Sequence, residues 1–166
     1  MEQAKPSWFY GLGTSSGKSL ISIYHYLKHN KGESLLIVCP PTKKKSKEWD
    51  YEVQKVENHE NIQIEYEVIA SSMLAKKYKD YKGYFLILDE AHYFMNPTSN
   101  RGKAAQKLCK QSTNYVMLSA TPGESWDKFI NYLIIFGFYK NKTEFLKQHA
   151  VCLLYTSDAA DDSLRG

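Results

Sequence analysis

Residues Gly11 to Ser19 read "GLGTSSGKS". A loop of small residues ending in Gly17-Lys18-Ser19 offers backbone N–H groups, an ammonium and a hydroxyl. That combination suits a phosphate chain with a hard divalent cation beside it. The usual spacing is Gly, four residues, then Gly-Lys-Ser/Thr, which puts the first glycine at position 12; that position is Leu12, with Gly11 and Gly13 on either side. Gly13, Thr14, Ser15, Ser16, Gly17, Lys18 and Ser19 are the candidate phosphate-binding residues. Lys18 is placed to reach the β and γ phosphates, and the Ser19 hydroxyl to ligate Mg²⁺. A Gly-Ser loop with no ligand is the alternative.

A second group follows an apolar run. In "LILDEAH" the acids Asp89 and Glu90 emerge where the hydrophobic stretch ends. Carboxylates there suit holding Mg²⁺ (Asp89) and orienting an attacking water (Glu90), the two tasks of phosphoryl transfer to water. An acidic helix N-cap would look the same in isolation. A third group, "CPPTKKKSKEW", places Pro41, Thr42, Lys43 and Lys44 where backbone amides, a hydroxyl and ammonium groups could meet nucleic-acid phosphates. The alternative there is a solvated lysine loop. The thirteen tyrosines are scattered over strands and helices, which favours core and boundary positions over a base-stacking platform. His25 and His29 have the i,i+4 spacing of metal ligands but lack a visible third partner.

The elements that must position these groups alternate in type. "PSWFYG" reads as a buried strand feeding the first loop, and the apolar spacing from Lys18 to Leu27 as a helix stopped at Asn30-Lys31-Gly32. "SLLIVCPP" is a continuous apolar strand, and Ser46 to about Asn58 a helix with Trp49, Val53 and Val56 on one side. "NIQIEYEVIA" holds one or two strands, and "SSMLAKKY" a short helix capped by serine. "YFLILDEAH" is a second buried strand, Ala104 to Lys110 a helix, "NYVMLSATP" a strand, and Ser125 to about Phe138 an amphipathic helix. The pattern predicts an α/β fold, a mostly parallel sheet with helices on both faces. In such sheets ligands bind at the carboxyl ends of strands, where "GTSSGKS", "CPPTKKK", "DEAH" and "SATP" all fall.

At 166 residues, 43% apolar and 24% charged, the chain has the size and composition of one globular domain. No apolar run has the length of a membrane span, and the scattered Cys39, Cys109 and Cys152 read as reduced, which fits a cytosolic protein. The formal net charge is +4; residues 152–166 carry −2 of their own, leaving a lysine-rich body at +6. That charge permits a polyanionic partner. "CLLYTSDAADD" (Cys152 to Asp162) resembles a translated sequencing adaptor, so the native domain is expected to cover residues 1–151, with 152–166 a non-native tail.

Taken together, Lys18-Ser19, "CPPTKKKSKEW", "DEAH" and "SAT" resemble motifs I, Ia, II and III of superfamily 2 helicases and translocases. "LLIVCPP…EW" and "LILDEAHYFMNPTSNRGKAAQKL…YVMLSATP" are similar to the Swi/Snf-type branch in particular. The resemblance runs from about Trp8 to Phe145. It implies the first of two RecA-like lobes, ATP and Mg²⁺ as cofactors, nucleic acid as partner with DNA favoured over RNA, and coupling of His92 to Ser119 and Thr121. Ser15 stands where the family usually has glycine. The adenine-contacting glutamine motif and the second lobe with its arginine fingers are not in this sequence, and Arg101 matches none of those fingers. A P-loop kinase or unrelated nucleotide hydrolase, and a module that binds without turnover, are the competing readings.

Overall fold

The computed structural model describes residues 7–13, 16–121, 123 and 126–149; Thr14, Ser15 and the expected tail at 152–166 lie outside the described residues. Five strands form one all-parallel sheet: β1 (Trp8–Gly11), β2 (Leu35–Cys39), β3 (Tyr66–Ala70), β4 (Phe85–Leu88) and β5 (Tyr115–Ser119), in the order β1-β5-β4-β2-β3. The principal helices are α1 (Lys18–His29), α2 (Pro41–Lys45), α3 (Glu48–Glu60), α4 (Leu74–Lys77), α5 (Asn100–Gln111) and α6 (Trp126–Ile135).

The continuous apolar runs behave as predicted: β2, β4 and β5 are buried at every position. Successive side chains of a strand point to opposite faces, so each run feeds two cores. Leu35, Ile37, Cys39, Phe85, Ile87, Val116 and Leu118 meet Ile23 and Tyr26 of α1 and Trp49, Val53 and Val56 of α3. Leu36, Val38, Leu86, Leu88, Tyr115 and Met117 meet Ala104, Ala105, Leu108 and Cys109 of α5 and Tyr132 of α6. The sheet is therefore sandwiched between helices, the α/β architecture expected from the sequence.

Of the one or two strands expected in "NIQIEYEVIA", one forms, β3. Three other local readings change. "SSMLAKKY" becomes a 3₁₀ turn (Ser71–Met73) running into α4, with no serine side chain capping either; Ser71 is buried instead. The "PTKKK" stretch is helical, because Pro41 sits at the first helical position, where a missing N–H costs nothing. Helix α5 begins earlier than its apolar spacing shows, at Asn100, where the Ser99 hydroxyl accepts from Gly102 N at 3.0 Å. Among the described residues no helix is long and apolar enough to cross a membrane.

The strand order sets the site. Gly11 at the end of β1 pairs with Ser119 at the end of β5, and Leu88 at the end of β4 pairs with Met117. The loops leaving β1, β4 and β5 therefore emerge side by side at one edge of the molecule.

Candidate nucleotide site

Gly17 starts α1 with φ 73° and ψ 21°, a left-handed conformation that glycine adopts without a Cβ penalty. This turns the chain sharply from loop to helix and leaves the N–H groups of the first turn open to an anion. Ser16 Oγ donates to Gly13 O at 2.7 Å, tightening the loop. Lys18 folds back over it: its Nζ donates to Leu12 O at 3.0 Å and also to Gly13 O. The ammonium is thus held by two neutral carbonyl oxygens, partners that a phosphate oxygen can replace with a stronger, charge-assisted bond.

Asp89 follows β4 directly and is 2% exposed. A buried carboxylate needs donors, and this one has three. Oδ2 accepts from Lys43 Nζ and from Trp49 Nε1, both at 2.9 Å, and Oδ1 accepts from Glu90 N at 2.9 Å. Burial pushes the Lys43 pKa down, but the Asp89 charge and hydrogen bond, aided by Glu48 and Glu90, outweigh it and hold the ammonium above the ordinary lysine range.

Glu90 is in the left-handed region at φ 50° and ψ 55°. For a residue with a side chain this costs about 1–3 kcal/mol, and such outliers gather at functional sites. Tyr93 N donates to its carbonyl at 3.0 Å. Its carboxylate stands between Lys43, 3.8 Å away, and His92 Nδ1, 3.2 Å away. The His92 contact is a close approach without hydrogen-bond alignment, so Nδ1 remains a buried atom with no hydrogen-bond partner. Ser119 is buried at the end of β5, where its Oγ accepts from Thr121 N at 3.2 Å, while Thr121 is exposed. No hydrogen bond joins His92 to either of them among the described residues.

Gly17, Lys18, Ser19, Lys43, Glu48 and Glu90 line one cleft of about 380 Å³. A larger hollow of about 590 Å³ lies between the end of α3 and the start of β3, at the amino-terminal end of the strands and away from these groups. The chemistry favours the smaller cleft.

The structure thus gathers the sequence-predicted Lys18, Ser19 and Glu90 around one space, with Asp89 bonded to its lining. It distributes the predicted nucleic-acid residues differently. Pro41 and Thr42 are exposed at the start of α2. Lys44 Nζ reaches back to Val68 O at 2.5 Å, and Lys43 turns into the cleft. Trp49 and Glu48, whose Oε1 is 3.6 Å from Lys43 Nζ, join the site without having been singled out for it. The signal for Trp49 was available, since a buried indole N–H needs an acceptor. His25 and His29 stack at 4.6 Å, and His25 Nδ1 lies 3.0 Å from Tyr10 Oη.

The donors near the cleft are hydroxyl and carboxylate oxygens, which fit a hard cation such as Mg²⁺. Among the described residues no three His, Cys, Asp or Glu side chains are arranged to hold a metal by themselves. A cation held by Ser19 and Asp89 would take the rest of its shell from phosphate and water, the usual Mg²⁺ arrangement.

Among solved structures, the chain is similar to the Sulfolobus solfataricus SWI2/SNF2 ATPase core in complex with dsDNA, with TM-score 0.66 and 22% identity over 85% of this chain and 34% of that one. It is also similar to the Pyrococcus furiosus Hef helicase domain, with TM-score 0.52 and 15% identity over 81% of this chain and 34% of that one. The chain spans about a third of the length of these structures, and the likeness shows a RecA-like fold. No curated protein sequence matches it. The family model for the Flavivirus DEAD domain matches residues 36–132, from β2 through most of α6. By that match over more than half its length, the chain belongs to the Flavivirus DEAD domain family.

Proposed function

We propose that this lobe binds ATP with Mg²⁺ and that, closed against a second RecA-like lobe, it hydrolyses ATP to drive movement along nucleic acid, DNA ahead of RNA. The observation that carries the reading is the convergence of the Lys18 loop and the Asp89-Glu90 strand end on one cleft. Nucleic acid as the track is supported by the dsDNA in the SWI2/SNF2 structure.

The phosphates would lie against the N-terminus of α1, where Lys18 exchanges the carbonyls of Leu12 and Gly13 for β- and γ-phosphate oxygens. Ser19 and Asp89 would hold the cation, which supplies charge neutralisation at the transferring phosphoryl group. Glu90, fixed by its left-handed backbone, orients the water and accepts its proton. His92, close to the Glu90 carboxylate, would pass the state of that group to the end of β5, where Ser119 and Thr121 lie. The second lobe would bring the arginine that contributes roughly 10³–10⁵ in rate. Residues 1–151 are taken as the lobe and 152–166 as a tail outside it.

Calorimetry with Mg-ADP tests the reading. The wild-type chain should bind weakly, since one lobe supplies half a cleft, and Lys18→Ala should abolish the signal. Equal affinity in both would show that the loop does not hold phosphate.

A further inference from the structure

Lys43 was read from the sequence as one of several lysines facing nucleic acid, but its ammonium is deep in the cleft. It bonds Asp89 Oδ2 at 2.9 Å, and it stands 3.6 Å from Glu48 Oε1 and 3.8 Å from Glu90 Oε1. One ammonium thus faces three carboxylates, with only about a quarter of its side chain exposed. This is the neutralising task of a divalent cation, at the carboxylate assigned to hold one. Three donors already occupy Asp89: Trp49 Nε1 shares Oδ2 with Lys43, which fills that oxygen, and Glu90 N takes one site of Oδ1. Trp49 is buried and the Glu90 amide belongs to the backbone. Lys43 is the donor that can leave, because its stem is flexible and its helix, α2, has no buried residue.

Resting on the nucleotide-site reading above, we propose that Lys43 is the resident counter-ion of the metal position. Arrival of the divalent cation with nucleotide displaces it from Asp89. Two cations competing for one carboxylate repel each other, so the exchange is one for one. The freed ammonium belongs to the same five-residue helix as the exposed Pro41 and Thr42. Displacement therefore hands a positive charge to a surface suited to a phosphate backbone. Linkage then requires that metal–nucleotide binding and DNA binding strengthen each other by the same factor.

The test uses the full chain, with Mn²⁺ and ADP as probes. Free Mn²⁺ is followed by electron paramagnetic resonance and ADP binding by calorimetry. Lys43→Met keeps the stem and removes the competitor, so Mn·ADP should bind about tenfold tighter, within the ordinary range for coupled sites. Lys43→Arg keeps the charge and should stay near wild type; Lys43→Gln gives the same reading as methionine should the latter disturb the fold. Mn·ADP should also raise the affinity of the wild-type chain for a short DNA duplex, and that gain should vanish in Lys43→Met. Equal or weaker Mn·ADP binding by the methionine and glutamine variants would overturn the counter-ion role. A DNA gain undiminished in Lys43→Met would overturn the hand-over. Lys18→Ala, run beside them, reports separately on the phosphate site: if it binds Mn·ADP as wild type does, the nucleotide reading itself has failed.

Discussion

Gly102 is a sharp test of how the segment after Glu90 is held. It lies in the first turn of α5, where a Cβ would sit 1.9 Å from Asn96 O, 2.9 Å from Asn96 C and 3.2 Å from Asn131 Nδ2. The backbone carbonyl would have to retreat by more than an ångström. It is not free to do so, because Asn96 O accepts from Ser99 Oγ at 2.9 Å and Ser99 N at 3.3 Å, while Asn96 Oδ1 accepts from Thr98 N at 3.0 Å. Asn131 is pinned as well, donating to Phe94 O and accepting from Gln106 Nε2 at 2.6 Å. On an open helix, Gly→Ala would stabilise by about 1 kcal/mol. Here the overlap should cost about 1–3 kcal/mol, and displacing Asn96 strains the Ser99 cap, worth about 1 kcal/mol more. Gly102→Ala should therefore lose about 2 kcal/mol in urea unfolding. At 2–4 °C per kcal/mol for a chain of this size, melting should fall by roughly 4–8 °C. A variant as stable as wild type, or more so, would refute the close approach of α5 to this segment.

Two further perturbations reach other parts of the site and core. Trp49→Phe removes one of the two donors on Asp89 Oδ2, and should cost about 1.5–3 kcal/mol in urea unfolding, as for a hydrogen bond to a charged group; a loss below about 0.5 kcal/mol would mean that Asp89 does not depend on the indole. Raising the pH should also unfold the chain progressively. Burial, with the Asp89 charge, pushes the Cys39 thiol up to about 11, and burial with Asp50 pushes Tyr66 up to about 12. Tyr81, Tyr115 and Tyr132 are raised as well, in each case chiefly by burial. Each group holds its proton more tightly folded than unfolded, so its contribution is complete below its unfolded pKa, about 8.5 for cysteine and 10 for tyrosine. It is lost as pH rises through the folded values. Urea midpoints should be level from pH 7 to about 8.5 and fall above that; a midpoint unchanged to pH 11 would contradict the burial of these groups.

The sheet was legible because β2, β4 and β5 are apolar at every position, a pattern that parallel strands covered on both faces require. Lys18, Ser19, Asp89 and Glu90 were legible for a related reason: each stands where an apolar run stops or a helix begins, so its place at the strand ends follows from the elements alone. The partners of Asp89 were not. Trp49 has the same spacing as Val53 and Val56 on α3, and periodicity reports only that it is buried, not that its N–H reaches across to β4. Lys43 and Lys44 look alike in "PTKKK". One points into the cleft and the other to the β3 backbone because α2 turns successive side chains by about 100°, which a loop reading does not supply. The serine cap assigned to "SSMLAKKY" failed because Ser71 is drawn into the core at the end of β3.

The two cleft lysines are held by different kinds of partner, and that difference decides which ligand moves each. Lys18 rests on neutral carbonyls, so a phosphate oxygen would offer it a charged acceptor in place of uncharged ones, and on the proposed reading nucleotide alone would be enough to draw it away. Lys43 already has a buried carboxylate and two further acids within 4 Å. No single phosphate improves on that, and leaving Asp89 without a cation would strand a buried charge. Lys43 can therefore leave only when a cation takes its place, and its departure becomes favourable when a second polyanion receives it. On the proposed reading, one cleft would respond to nucleotide through Lys18 and to the joint presence of metal and nucleic acid through Lys43. Glu90, close to Lys43 and next to His92, is where those two signals would meet the activated water.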